Sequence, residues 1–378
     1  MDEEEPPPNG LEEKLSSPNY NHHIDEEGTL IEPVKEKSQI ATLNPGLCQK
    51  QINSCWPFLF RTRRVKEGKG EFSTLDLSFL SSPTELTGEL TTLISPEHSY
   101  ESKGCEDPKL THHNEKFYIT YIAFDGINAV PALATTRDFQ SVEKHGLLGP
   151  NIPLQEAIKV TDSKRYKERW EEQTQFREEN DKQMIYTKDA SLHYDPKRDK
   201  WIFIYRIEPD IQIAIADDIR ELQSQDFWKE QIRNIDEKVV LRADLDDWSK
   251  EKVGIGSPPI EIDGRMIALY HGVEEVGKDL LIYRGSFLEF DENWRVKARI
   301  KSPLFIPDLE KHVIIEKDTE GNEKRKAVNF PTVILRNPEK PETLWIYGGL
   351  GDENIGYRST ELEWVLSELS REHSRLPN

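Results

Sequence analysis

The segment Gly104-Cys105-Glu106-Asp107-Pro108-Lys109-Leu110 sets two adjacent carboxylates between a glycine and a proline. Proline fixes its own φ and restricts the residue before it, so Asp107 rides on a constrained backbone that suits a positioned carboxylic acid. The same spacing also fits a turn whose aspartate caps backbone amides, a common use of Asp-Pro. Three cationic or hydrogen-donating residues follow at long separations. They are Arg206 in Tyr205-Arg206, Lys252 heading Lys252-Val253-Gly254-Ile255-Gly256-Ser257-Pro258-Pro259-Ile260, and His271 in Tyr270-His271-Gly272-Val273. Gathered together in so acidic a chain, they would form a clamp for an oxyanion such as phosphate. Scattered, each would pair with a nearby carboxylate.

Other chemistries find less support. Gly254-x-Gly256 is no dinucleotide fingerprint, because Pro258-Pro259 follow at once and prevent the helix such a motif opens. His22-His23 and His112-His113 have no further ligands at useful spacing, so no metal site is expected. Neither a Gly-x-Ser-x-Gly elbow nor a P-loop is present.

The elements that must position these residues are β-strands. An aromatic-rich strand recurs as Pro57–Arg61, Phe117–Tyr121, Ile202–Arg206, Ile267–Gly272 and Leu344–Gly349. Most copies are followed by a second β-rich run, such as Val130–Thr135 or Ile211–Ala216. Repetition at a long period in an all-β chain predicts a propeller, and five copies predict five blades. Its inner strands would bring Arg61, Arg206 and His271 to one axial funnel. A β-sandwich with aromatic core strands is the plain alternative.

With 378 residues, 32% charged and a net charge of −20, the chain has a very polar surface and no basic face for nucleic acid or anionic membrane. No apolar run approaches the roughly 20 residues of a membrane span. Met1 is followed by acids and prolines, the reverse of a signal peptide. Three cysteines (Cys48, Cys55, Cys105) without a Cys-x-x-Cys pair suggest a reducing, cytoplasmic setting. Residues 1–40 read as a disordered acidic leader, with eleven acidic against three basic residues in the first 39. Residues 41–378 read as one propeller domain. Within it, 151–184 has charges of both signs at i, i+4 spacing and predicts an exposed inserted helix, either a lid or an oligomer contact. Ser359–Arg375 predicts a closing helix with Leu362, Val365, Leu366 and Leu369 on one face.

Taken in order, these phrases resemble glycoside hydrolase family 130, the β-mannoside phosphorylases and their relatives. The matching segments are Gly104–Lys109, Lys188-Asp189, Tyr205-Arg206, Lys252–Ile260 and Tyr270–Val273, with weaker matches at Ser302–Leu304, Val328–Pro331 and Tyr347–Asp352. The resemblance implies a five-bladed propeller with Asp107 as general acid, protonating the leaving oxygen through a sugar hydroxyl. It implies a phosphate clamp of Arg206, Lys252 and His271, and sugar subsites lined by Arg61, Lys188, Asp189, Tyr283 and Asp352. Phosphate would be a co-substrate, with no other cofactor, and homo-oligomers occur among relatives. An inverting phosphorylase needs no second carboxylate as base, because phosphate is already an anionic nucleophile. Lys109 departs from the arginine usual after Asp-Pro, and Thr187 stands where asparagine is common. The expected activity is reversible phosphorolysis of terminal β-mannosides to α-mannose 1-phosphate. A GDP-mannose-dependent β-1,2-mannosyltransferase, a β-mannoside hydrolase and a non-catalytic propeller scaffold stay open as alternatives.

Overall fold

Strands hydrogen-bonded to their neighbours in sequence make up most of the chain. The computed structural model describes residues 23–35, 38–66, 68, 70–175, 183–243, 248–277, 280–317 and 323–373. The strands form consecutive antiparallel runs. The first is Gln39–Gly46, Trp56–Lys66, Gly70–Ser82 and Glu85–Ile94; the next is Gly104–His113, Lys116–Phe124, Ala129–Thr136 and Glu143–Leu147. Thr187–Asp195, Lys200–Ile207, Asp210–Ala216 and Val239–Leu241 follow. Then come Lys252–Ile255 with Ile260–Ile262, Arg265–Val276, Leu280–Phe290 and Val296–Arg299. Glu323–Arg336, Thr343–Leu350 and Asn354–Glu361 form the last run, completed by Glu26–Ile31 from the other end of the chain.

The aromatic strands are buried on both faces because alternate side chains enter different layers of core. Phe203 and Tyr205 point to the preceding run, meeting Ile122 and Leu133, while Ile202 and Ile204 meet Val253 and Tyr270 of the following one. Phe58 and Phe60 pack on Val333, Trp345 and Tyr347, so the last run closes against the first. Each expected aromatic strand is present, but as the second strand of its run. The strands that meet at the centre are the first ones. Thr332 Oγ1 donates to Pro45 O at 2.7 Å and Thr111 Oγ1 to Leu192 O. A Cβ at Gly46 would lie 2.4 Å from Pro108 O, and one at Gly256 2.4 Å from Pro331 O. The aromatic motif marked the best-buried strands, and the central ones were less visible because polar and glycine residues interrupt them.

The leader assignment ends too late. Glu26–Ile31 pairs antiparallel with Asn354–Glu361, placing Gly28 opposite Tyr357. An edge strand is held by backbone hydrogen bonds and tolerates charge, so acidic composition concealed it. Residues 1–22 lie outside the described residues.

The excursion at 151–184 contains helices Leu154–Val160 and Lys164–Gln175; residues 176–182 lie outside the described residues. The second helix is not the freely exposed element its charges predict. Tyr166 and Trp170, four residues apart, are buried with Leu154 and Ala157 against Tyr205 and the strands around it. Tyr166 Oη donates to buried Asp210 at 2.8 Å. The aromatic pair anchors the helix while its charges cover the outside. Helix Gln225–Arg233 adds Trp228, packed edge-on to Tyr205. The closing helix runs Leu362–His373, starting later than predicted because residues 359–361 remain in the preceding strand. Its Leu362, Val365 and Leu369 are buried against Ile334 and Ile346.

If the inserted helix is part of the core, Trp170→Ala lowers unfolding free energy by about 3 kcal/mol in urea titration. A change within about 0.5 kcal/mol, the usual range for a surface position, contradicts that packing.

Candidate active site

The first strands of the runs present Asp107, Lys188, Asp189 and Lys252, several of them through local breaks in pairing, while Arg61, Arg206 and His271 come from second strands. Register shifts fall between Leu43 and Gly46, Glu106 and Lys109, Lys188 and Ser191, and Pro331 and Val333. Asn44, Asp107 and Asp189 take positive φ there, at 43°, 49° and 51°. A bulge with a left-handed residue turns a side chain out of the sheet's alternation, and Asn and Asp tolerate that backbone better than other non-glycine residues. The Gly-Cys-Glu-Asp-Pro phrase is therefore a bulged strand whose aspartate is aimed.

Two linked clusters of charge result. Arg61, from the second strand of the first run, lies 2.6 Å from Glu106 and 3.6 Å from Asp107. Lys188 Nζ reaches the other oxygen of Glu106 at 3.1 Å, and Asn44 donates to Asp107 Oδ1 at 2.8 Å. In the second cluster, Asp189 Oδ2 lies 3.1 Å from Arg206 Nε and 3.3 Å from His271 Nε2. Glu208 Oε1 lies 3.0 Å from Lys252 Nζ and 3.9 Å from Arg206 Nη2. Lys252 also stands over the Tyr283 ring at 5.9 Å, and Phe330 packs on His271 at 4.3 Å between ring centres. Adjacent Lys188 and Asp189 join the clusters, and the field of Asp352 is felt at Arg61.

Burial pushes the Asp107 carboxyl up, but the Arg61 and Lys188 charges and the Asn44 hydrogen bond outweigh it and hold the group below the ordinary carboxylate range. Burial pushes the His271 imidazole down against the pull of Asp189, so the ring is neutral at neutral pH. Lys109 is 3% exposed, and burial pushes its amine down to about 8 despite Asp107 and Asp189 nearby. Several buried polar atoms here have no hydrogen-bond partner among the described residues: Asn44 Oδ1, Lys109 Nζ, Asp189 Oδ2, Arg206 Nε and both ring nitrogens of His271. Arg206 is close enough to Asp189 to pair by charge without hydrogen-bond alignment, and the neutral His271 ring lies beside the same carboxylate. Orphaned donors and acceptors are rare in folded proteins, and the lone Asn44 Oδ1, Lys109 Nζ and His271 Nδ1 here suit a site that binds a polar ligand.

Eight of the nine sequence-derived site residues meet in this network, Asp107, Arg206, Lys252, His271, Arg61, Lys188, Asp189 and Tyr283, and the ninth, Asp352, lies within electrostatic range of Arg61. One expectation is modified. The residues expected as a phosphate clamp converge, yet two carboxylates, Asp189 and Glu208, stand among them. Sequence reasoning missed Glu208, two residues beyond Arg206, and the roles of Asn44 and Phe330. It also missed why Gly254 is glycine. A Cβ at Gly254 would lie 2.1 Å from Asp189 Oδ2 and 2.3 Å from His271 Cε1, and one at Gly349 2.7 Å from Asn44 Oδ1. Such close approach leaves no trace in composition. Among the described residues no group of three or more His, Cys, Asp or Glu side chains is arranged to hold a metal ion, and no helix is long and apolar enough to cross a membrane.

The chain belongs to glycoside hydrolase family 130: a family profile described as beta-1,4-mannooligosaccharide phosphorylase matches residues 21–371. It is 26% identical over 280 residues to a 1,2-beta-oligomannan phosphorylase of Thermoanaerobacter sp., covering 72% of this chain and 73% of that one. A beta-1,2-mannobiose phosphorylase of Listeria innocua is 23% identical over 323 residues, 84% of this chain and 75% of the relative. Among solved structures, the Listeria innocua beta-1,2-mannobiose phosphorylase in complex with beta-1,2-mannobiose superposes with a TM-score of 0.63 at 17% identity, over 91% of this chain and 97% of that one. At that identity the likeness speaks for the fold.

Gly254→Ala forces Asp189 and His271 apart, and turnover is expected to fall about a hundredfold with far-ultraviolet circular dichroism unchanged. Wild-type kinetics in this variant would show that the pocket tolerates a methyl group and that the close approach has no functional weight.

Proposed function

We propose that this chain is an inverting phosphorylase of terminal β-mannosides, of the β-1,2-mannobiose or oligomannan type or the mannosyl-glucose and mannosyl-GlcNAc type, working on a five-bladed propeller. The five antiparallel runs, each packed on the next and the last on the first, support that blade count. The observation that carries the functional reading is the meeting of Arg206, Lys252 and His271, from separate strands, within one buried network that also holds Asp107.

Inorganic phosphate lies in the clamp, held by Arg206 and Lys252 as cations and by His271 as a neutral donor. One of its oxygens attacks the anomeric carbon from the face opposite the leaving sugar. The C1–O bond to the leaving sugar breaks, a C1–O–phosphate bond forms with inversion, and the products are α-mannose 1-phosphate and a shortened acceptor. Asp107 supplies the proton that the leaving oxygen takes, through a sugar hydroxyl. The reverse direction uses the same groups, Asp107 then receiving the proton. Arg61, Lys188, Asp189, Tyr283 and Asp352 orient the sugar. A phosphate dianion in the clamp and a sugar replacing water beside Asp107 both push its carboxyl back up, so the acid takes its proton in the assembled complex. Three free thiols suit a cytoplasmic setting.

Incubation with β-1,2-mannobiose, with and without phosphate, tests the reading. Mannose 1-phosphate appearing only with phosphate is the expected result. Free mannose regardless of phosphate selects a hydrolase, and acceptor extension from GDP-mannose alone selects a transferase. Asp107→Asn should lower kcat by about a thousandfold with little change in stability; a near-normal rate removes Asp107 from its role. Arg206→Ala should raise the KM for phosphate far more than the KM for sugar, and equal effects would count against the clamp.

A further inference from the structure

We propose that Glu208 is a displaceable counter-anion of the phosphate clamp, its Oε1 standing where a phosphate oxygen must enter between Lys252 and Arg206, and that Arg169 of the inserted helix receives the carboxylate when it withdraws. This rests on the phosphorylase reading above and names what sets phosphate affinity within it.

The geometry is specific. Glu208 Oε1 lies 3.0 Å from Lys252 Nζ and 3.9 Å from Arg206 Nη2, so one oxygen contacts two cations of the clamp. The other oxygen lies 3.5 Å from Arg169 Nη2. Asp189, the second carboxylate among these cations, is 5% exposed and pairs with Arg206 and His271. Glu208 is 25% exposed, so it has room to move where Asp189 has none. Burial pushes the Glu208 carboxyl up, but Lys252, Arg206 and Arg169 outweigh it and hold it down to about 2. It is therefore an anion at neutral pH, as phosphate is.

Two anions do not share one oxygen position between the same cations, because like charges at contact repel strongly in a partly buried site. Phosphate entry must move the carboxylate. Arg169 is the cation that already touches Glu208 from outside the clamp. Its Nε is buried without a hydrogen-bond partner among the described residues, so the guanidinium has unused donor capacity. The inserted helix, anchored by Tyr166 and Trp170, thus acts on phosphate affinity through one ion pair. Glu208 and Arg169 are positioning residues, with no direct part in bond breaking.

The test measures initial rates against inorganic phosphate at saturating β-1,2-mannobiose for the wild type, Glu208→Gln, Arg169→Ala and the double variant, with phosphate binding followed by calorimetry without sugar. Glu208→Gln is expected to lower the phosphate KM and Kd about fivefold, and Arg169→Ala to raise both about threefold. The double variant should follow Glu208→Gln alone, since Arg169 acts only through a charged partner, and the KM for sugar should stay constant throughout. A purely structural role predicts losses in the same direction for both variants. Weaker phosphate binding in Glu208→Gln overturns the proposal, as does an Arg169 effect that persists in the double variant. Arg169 is 40% exposed, so its variant decides the matter even where Glu208→Gln folds poorly. Wild-type turnover without any phosphate requirement rejects the phosphorylase reading instead. Calorimetry then judges Glu208 independently: unchanged phosphate binding in Glu208→Gln rejects it too.

Discussion

A charge removed from water without a counter-charge costs several kcal/mol or more, and the centre of this molecule is arranged around that fact. Arg61, Lys188, Arg206 and Lys252 are drawn into a buried region, and each is matched by Glu106, Asp107, Asp189 or Glu208. The pairs are chained, so that one carboxylate serves two cations and one cation two carboxylates. Exchange of an internal anion for an external one, as proposed above for phosphate, keeps such a chain in balance. The very acidic overall charge thus coexists with a centre that is close to balanced.

The backbone solves the problem of delivering those groups. Strands alternate their side chains between two core-facing layers, which leaves no regular position aimed into the site. Bulges at Asn44, Asp107 and Asp189 break that alternation at the needed residue. Glycines at 254 and 349 let neighbouring groups come within distances that any side chain would block. The second strands behind these points are heavily buried, with Phe58, Phe203, Tyr205, Tyr270 and Tyr347 almost fully enclosed.

Much of this was legible in the chain. The aromatic strands exist where their pattern put them, and the residues expected as acid, clamp and sugar-lining groups lie close together. Three readings went astray for separate physical reasons. Glu26–Ile31 looked like leader because an edge strand needs few apolar side chains. Lys164–Gln175 looked exposed because its charges outnumber the Tyr166 and Trp170 that anchor it. The aromatic strands were taken for the central ones because hydrophobic pattern reports burial, and the strands at the centre are selected for polar presentation.

By itself the sequence determined the all-β architecture, the repeat, the family and the identity of the charged residues, because these rest on local periodicity and on ordered short phrases. Only the tertiary structure decided which charge meets which. Pairings such as Lys188 with Glu106, or Glu208 with Lys252 and Arg169, join residues tens of positions apart, and contact across that separation follows from how whole sheets pack rather than from any neighbouring residue.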